Sequence, residues 1–410
     1  MSPSRTVANA SEQAQDLKKA ALRVADELAN AYPRDAEALA VLAIANDRFG
    51  SSEASLRLWE KCLELNPAFA DAYQGMGTIL LKRGAYQEAA EAFRNALKRN
   101  PRMADAYAQL AEALMGLGKF REAADVLDQG AKVFPESDTI YFWRGQACLQ
   151  LRQYEQAIQN HRRAIELNPN STYAYYGLAT AFARLGQRER FEQFMKEFKR
   201  RKARDQEAEQ RRLKSFDDLN SVRQSAAFVY MAVGEVYRRH GQPKQAEKHL
   251  LEACRLAPRD TLCREKLVLL YGQRGRWPEA VGVMKQLVAL RPDHAGYILR
   301  LGLFRAQAGQ FEAAEQAFRQ TIQLAPELPD AYAALAQLYL QTGTRVAESL
   351  QLASKAVELQ ATARHYYLLS AAYHRNGQVA QALSAIDRAV ELEPDNAEYQ
   401  QIRKVLRAER

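Results

Sequence analysis

Residues 67–101 read PAFADAYQGMGTILLKRGAYQEAAEAFRNALKRNP. Two stretches inside it, about 71–83 and 86–99, place apolar residues at the i, i+3, i+4, i+7 spacing of an amphipathic helix. Gly84 stands between them, where a helix end wants a residue that accepts positive φ. The flanking prolines break helix interiors but suit helix starts. The segment thus predicts two helices joined by a tight turn. Neither helix can bury its stripe alone, so such pairs must stack.

The rest of the chain supplies the neighbours. Pro33, Pro67, Pro101, Pro135 and Pro169 are 34 residues apart; Pro258, Pro292 and Pro326 keep the same interval, and Pro394 lies two intervals further on. A fixed period of this size marks a repeat array, so the 410 residues build one lengthwise core rather than several globular domains. Hydrophobic residues at 47% and charged residues at 26% exclude wholesale disorder. No apolar run approaches the length of a membrane-spanning helix. The N-terminus, MSPSRTVANASEQAQDLKK, lacks the apolar core of a secretory signal. A cytoplasmic location is expected, or a periplasmic or envelope-associated one if a signal or anchor is missing from this chain.

Within each period the residues resemble the tetratricopeptide repeat (TPR). The second full unit has Tyr73, Met76-Gly77, Leu80, Ala89, Phe93, Ala96 and Pro101. The sixth has Tyr230, Val233-Gly234, Tyr237, Gly241, Ala246, Leu250, Ala253 and Pro258, and the tenth Tyr366, Leu369-Ser370, Tyr373, Gly377, Ala382, Ile386, Ala389 and Pro394. Small residues sit where helices cross closely and large ones fill the space between. The resemblance implies an all-α, right-handed α-solenoid of about ten helix-turn-helix units, a multi-repeat scaffold of the bacterial type.

Departures from the pattern set the expected boundaries. Residues 1–35 read as a tail and capping helix, 36–205 as a first block of five units, 206–226 as a charged connector, 227–394 as a second block of five units, and 395–410 as a C-terminal cap. The first unit carries Asn46 and Ser55 at repeat positions usually filled otherwise, with Trp59 as its large residue. The ninth needs one extra residue in its turn. In the fifth, apolar residues nearly vanish after Phe198 while the helical pattern continues, which predicts a charged helix projecting from the stack and a turn near 215–221. Ion pairs Glu192–Lys196, Glu197–Arg201 and Glu207–Arg211 would support it.

Charge raises one function class. The net charge is +9, and residues 188–214 hold 11 Lys/Arg against 6 Asp/Glu. Lys199, Arg200, Arg201, Lys202 and Arg204 form a candidate basic patch for nucleic acid or an acidic partner, within the helix 196–214. Interleaved acids and the lack of exposed aromatics there favour a solvated face, so nucleic acid is an unlikely partner.

No catalytic or metal motif is present. Cys254 and Cys263 miss the CxxC spacing of zinc sites and read as small buried thiols. The six histidines show no HExxH spacing, and GxxxxGK[ST], GxGxxG and GxSxG are missing. His161 falls at a large packing position. No enzyme activity, cofactor or metal is expected.

The resemblance places the partner surface on the concave side, at positions 2, 5, 9 and 12 or 13 of each first helix. No Asn occupies position 9, so a clamp for a chaperone's terminal carboxylate is not expected. The groove candidates are Phe142, Gln146, Tyr173, Tyr176, Thr180, Phe228, Met231 and Glu235, several of them aromatic anchors of the kind that dominate interfaces. The expected function is that of a non-enzymatic scaffold or adaptor gripping a protein or peptide partner.

Overall fold

The computed structural model describes residues 3–214 and 218–409, and among them every regular element is a helix. A long helix α1 (Pro3–Ala31) precedes the pairs α2/α3 (Ala36–Phe49, Ser52–Leu65), α4/α5 (Ala70–Lys82, Tyr86–Arg99), α6/α7 (Ala104–Gly116, Phe120–Val133), α8/α9 (Asp138–Gln150, Tyr154–Leu167) and α10/α11 (Thr172–Arg184, Arg188–Lys214). Next come α12/α13 (Asp218–Arg239, Pro243–Leu256), α14/α15 (Leu262–Gln273, Trp277–Leu290), α16/α17 (Ala295–Gln307, Phe311–Leu324), α18/α19 (Pro329–Thr342, Val346–Leu359), α20/α21 (Ala363–Arg375, Val379–Leu392) and the single α22 (Ala397–Ala408). The all-α solenoid of helix pairs is the architecture observed.

The 34-residue beat is visible in the turns. Gly84 adopts φ +74° with open space around it, closing α4 before α5 begins. In the fourth unit Arg152 takes this role at φ +60°. In the ninth, the extra residue is accommodated by a second left-handed residue, Arg345 at φ 47° after Gly343. Large side chains fill the spaces between pairs: Phe93 is fully buried and packs on Gly77, and Phe318 does the same on Gly302. Each such ring contributes about 2–3 kcal/mol of burial.

The chain divides into two compact units, residues 1–257 and 258–410. Sequence placed the break at 206–226 instead. The difference lies in where α12 packs. It pairs with α13 and rests on α1 and α2, so the sixth helix pair belongs with the first unit. In α11, Glu192, Lys196 and Lys199 stand where α5 has Ala90, Arg94 and Leu97. Ala90 and Leu97 both belong to the core formed by α5, α6 and their neighbours. A charged face of this kind cannot accept another first helix without burying charge.

The charged helix does not project over most of its length. α11 packs along α10, and at its far end Arg201 Nη1 donates to the Pro169 carbonyl at 2.6 Å while Asp205 accepts from Thr172 Oγ1 at 2.7 Å. Glu197 pairs with Arg201 as expected, whereas Glu192 pairs with Arg188. The Arg211 side chain and residues 215–217 of the expected turn lie outside the described residues, and α12 is already helical from Asp218.

Candidate partner-binding surfaces

Curvature follows from which helices touch. In each unit successive first helices pack on one another (α2 on α4, α4 on α6, α6 on α8, α8 on α10; α16 on α18, α18 on α20), while among the described residues successive second helices make no comparable contact. The first helices therefore line the inner wall. Their positions 2, 5, 9 and 13 share one helical face, although position 5 is buried at Ala40, Ala108, Met231, Leu299 and Ala333.

Five of the eight groove candidates come together on the adjacent helices α8 and α10. Phe142 and Gln146 on α8 are half-buried, and the Phe142 ring lies 5.4 Å from Trp143 and 5.9 Å from His161. Phe142 is thus partly a packing residue. On α10, Tyr173 and Tyr176 are 59% and 45% exposed. Both rings lean on buried Phe198 of α11, at 6.1 and 5.0 Å. Thr180 lies one turn further along the same face and spends its hydroxyl on the Tyr176 carbonyl at 2.9 Å.

The other three do not join them. Phe228, Met231 and Glu235 belong to α12, which sits at α1 and α2 for the reason given above. Phe228 is 38% exposed beneath the Arg48 guanidinium, 4.5 Å from ring centre to Cζ. Met231 is buried. Glu235 is held in ion pairs with Arg238 and Arg239. Sequence spacing alone could not reveal this, because the position numbering assumes that each pair stacks on the one before it.

α12 in turn lies against the inner face of α2. Its Arg239 pairs with Glu37 at the start of α2, and its Ser225 and Phe228 meet Arg48 at the end. The two helices are therefore antiparallel, and the first stage of the groove is filled by the chain itself. Beyond it opens a cleft of about 680 Å³ bounded by Arg48, Phe228, Gln74, Thr78, Lys82 and Asp47, with Lys82 and Asp47 paired at 3.1 Å.

The basic patch is partly consumed. Arg201 lies 15% exposed over the Tyr175 ring at 4.3 Å and is tied to Pro169 and Glu197. Arg204 donates to Asn170 Oδ1 at 3.3 Å. Lys202 stands 5.5 Å from the Phe198 ring centre. Lys199 and Arg200 are exposed, the latter paired with Glu197.

The shifted titratable groups belong mainly to the core. Burial pushes the Cys62 thiol up to about 12 and the His161 and His249 imidazoles down to about 4. On the inner wall, burial also raises the Glu112 carboxyl. Among the described residues no group of three or more His, Cys, Asp or Glu side chains could hold a metal ion, and no helix is long and apolar enough to cross a membrane. Cys254 and Cys263 are buried, but both are disulfide-bonded, which corrects their reading as small buried thiols.

Stacked helix pairs with their first helices inward define a helical-repeat protein. The sequence profiles specify which: tetratricopeptide repeat profiles match residues 58–91, 80–147, 267–339 and 363–396, and a TPR repeat profile matches 145–186. The chain belongs to the tetratricopeptide repeat family. Among solved structures it is similar to YrrB, described as a TPR protein with an unusual peptide-binding site, at 21% identity over 42% of this chain and 90% of that one, TM-score 0.38. It is also similar to MamA from Desulfovibrio magneticus RS-1, at 21% identity over 41% and 95%, TM-score 0.39. Yeast Tom70 aligns over 93% of this chain and 96% of its own at 13% identity, TM-score 0.37. No curated protein matches the chain.

Proposed function

We propose that this scaffold is a non-enzymatic adaptor that holds a partner peptide or helix on the inner wall of its first helices, with Tyr173 and Tyr176 as anchors. One observation carries the reading. The two tyrosines are neighbours on one face of α10, and at 59% and 45% they are more exposed than Tyr86 and Phe228, each 38% exposed. Phe198 beneath them supplies a fixed floor, so little side-chain entropy is lost when a partner covers the rings. The surface is preformed, which suits segment-in-groove recognition.

The test is recovery of partners by the wild-type chain against Tyr173→Ala/Tyr176→Ala, with Phe142→Ala as a third arm. Loss with the tyrosine variant and a smaller effect at Phe142 is the expected outcome. Equal recovery of every partner by all three chains would remove the tyrosine surface from the account.

A further inference from the structure

Along the inner wall of residues 258–410 the lining changes character. Leu262 and Leu269 on α14 and Leu303 on α16 are 44, 43 and 42% exposed. All three occupy wall positions of successive first helices, where exposed leucines offer apolar surface to a partner. One pair further on, α18 and α20 contribute Gln337, Gln341, Arg364 and Arg375. A small hollow of about 160 Å³ is bordered by Leu303, Gln337, Gln341 and Arg364. A larger one of about 610 Å³ shares the two glutamines and Arg364 and continues to Tyr367 and Arg375. The shared residues make a single trough leading from leucine to arginine.

The arginines are uncommitted. Among the described residues neither Arg364 nor Arg375 enters an ion pair, and both are exposed. Glu398 also lines the trough but accepts from the Tyr367 hydroxyl at 3.0 Å. Arg364 lies in the first turn of α20, where the free amides add to its positive field. Arg375 closes the same helix, roughly 16 Å away along the axis. Two separated cations need two separated anions, which a peptide provides and a small anion does not.

We propose that this trough binds an acidic peptide segment, with side-chain carboxylates facing Arg364 and Arg375 and an apolar side chain resting on Leu303. The site is independent of the tyrosine surface, which lies in the other unit. Charge-assisted pairing with arginine supplies the selectivity and the leucines supply apolar contact.

A dodecapeptide library, displayed with its peptide C-termini fused so that only side chains offer carboxylates, would be selected on the full chain. Each recovered clone would then be measured against Arg364→Gln/Arg375→Gln and against Leu303→Ser. Clones enriched in Asp and Glu that lose about tenfold in affinity on the arginine variant, and weaken as salt is raised, are the expected result. Both arginines are exposed, so an unchanged melting temperature would separate lost binding from lost folding. Recovery of no clones, of clones without acidic enrichment, or of acidic clones that bind the variant equally well would each overturn the proposal.

Discussion

Tyr32 stacks on His240 with ring centroids 3.9 Å apart and planes 17° from parallel. This contact joins the end of α1 to the end of α12 across more than 200 residues of sequence. Tyr237 meets Tyr32 edge-on at 6.0 Å, His240 pairs with Asp35, and Arg239 pairs with Glu37. The first unit is therefore fastened back upon its own beginning. Replacing both Arg239 and His240 by alanine removes the stack, the His240–Asp35 contact and the partly exposed ion pairs of Arg239 with Glu37 and Glu235, for a loss of about 1–2 kcal/mol. Amide hydrogen exchange should accelerate in α12 and α1 and stay near the wild-type rate in α4 to α9. Unchanged protection of α12 would mean that buried contacts alone hold it.

Arg201 makes a brace that also occurs three periods earlier. Arg99 Nε donates to the Pro67 carbonyl at 2.7 Å and its guanidinium covers the Tyr73 ring at 4.1 Å; Arg201 does the same with Pro169 and Tyr175. A residue engaged in this way braces the helix end. Arg201→Ala should cost about 1–2 kcal/mol in urea unfolding, through the hydrogen bond to Pro169, the ion pair with Glu197 and the cation–π contact with Tyr175. Lys199→Ala should change stability by less than about 0.5 kcal/mol. Equal effects of the two substitutions would contradict the brace.

The repeat was legible because breakers and small residues are local signals: Pro67, Gly84 and Gly77 each report on a turn or a crossing within their own unit. The tyrosine pair was legible too, since positions 2 and 5 of α10 follow from the same register. The placement of α12 was not. Glu192, Lys196 and Lys199 show that α11 refuses a further first helix, but nothing in the spacing says that α12 will find α1 and α2. That contact depends on shape closure over a long stretch of chain. Leu269 and Leu303 are legible as leucines at position 9 of successive units, but spacing does not say how exposed they are.

His161 occupies the slot filled by Phe93 and Trp59 in earlier units, fully buried, and among the described residues neither ring nitrogen has a hydrogen-bond partner. Burial holds its pKa at about 4 against an ordinary 6.5. The folded chain thus keeps the ring neutral while the unfolded chain takes up a proton. This stability is fully present above pH 6.5 and is lost as pH falls toward 4, by up to about 3 kcal/mol. His249, with its pKa likewise near 4, adds to the trend. In His161→Phe the acid-induced loss should shrink and stability at neutral pH should rise, since a ring without polar atoms replaces two unpaired nitrogens. Melting temperatures measured from pH 7 to 4 decide it; parallel curves for wild type and variant would show that His161 is not the group responsible.

The same imidazole explains two glycines. A Cβ on Gly177 would stand 2.2 Å from His161 Nε2, and one on Gly145 would stand 2.6 Å from Cε1, so the ring is gripped between α8 and α10 from both sides. Neither neighbour can give way, because the ring is wholly enclosed. Gly177→Ala should therefore destabilise by about 2–3 kcal/mol despite its favourable helix propensity. Shrinking the ring removes the obstacle: in a His161→Ala background, already weakened by a cavity, the added methyl has room and its cost should largely vanish. A double-mutant cycle over the two positions measures that coupling directly. If Gly177→Ala costs the same with and without the imidazole, the clash is not what makes glycine necessary there.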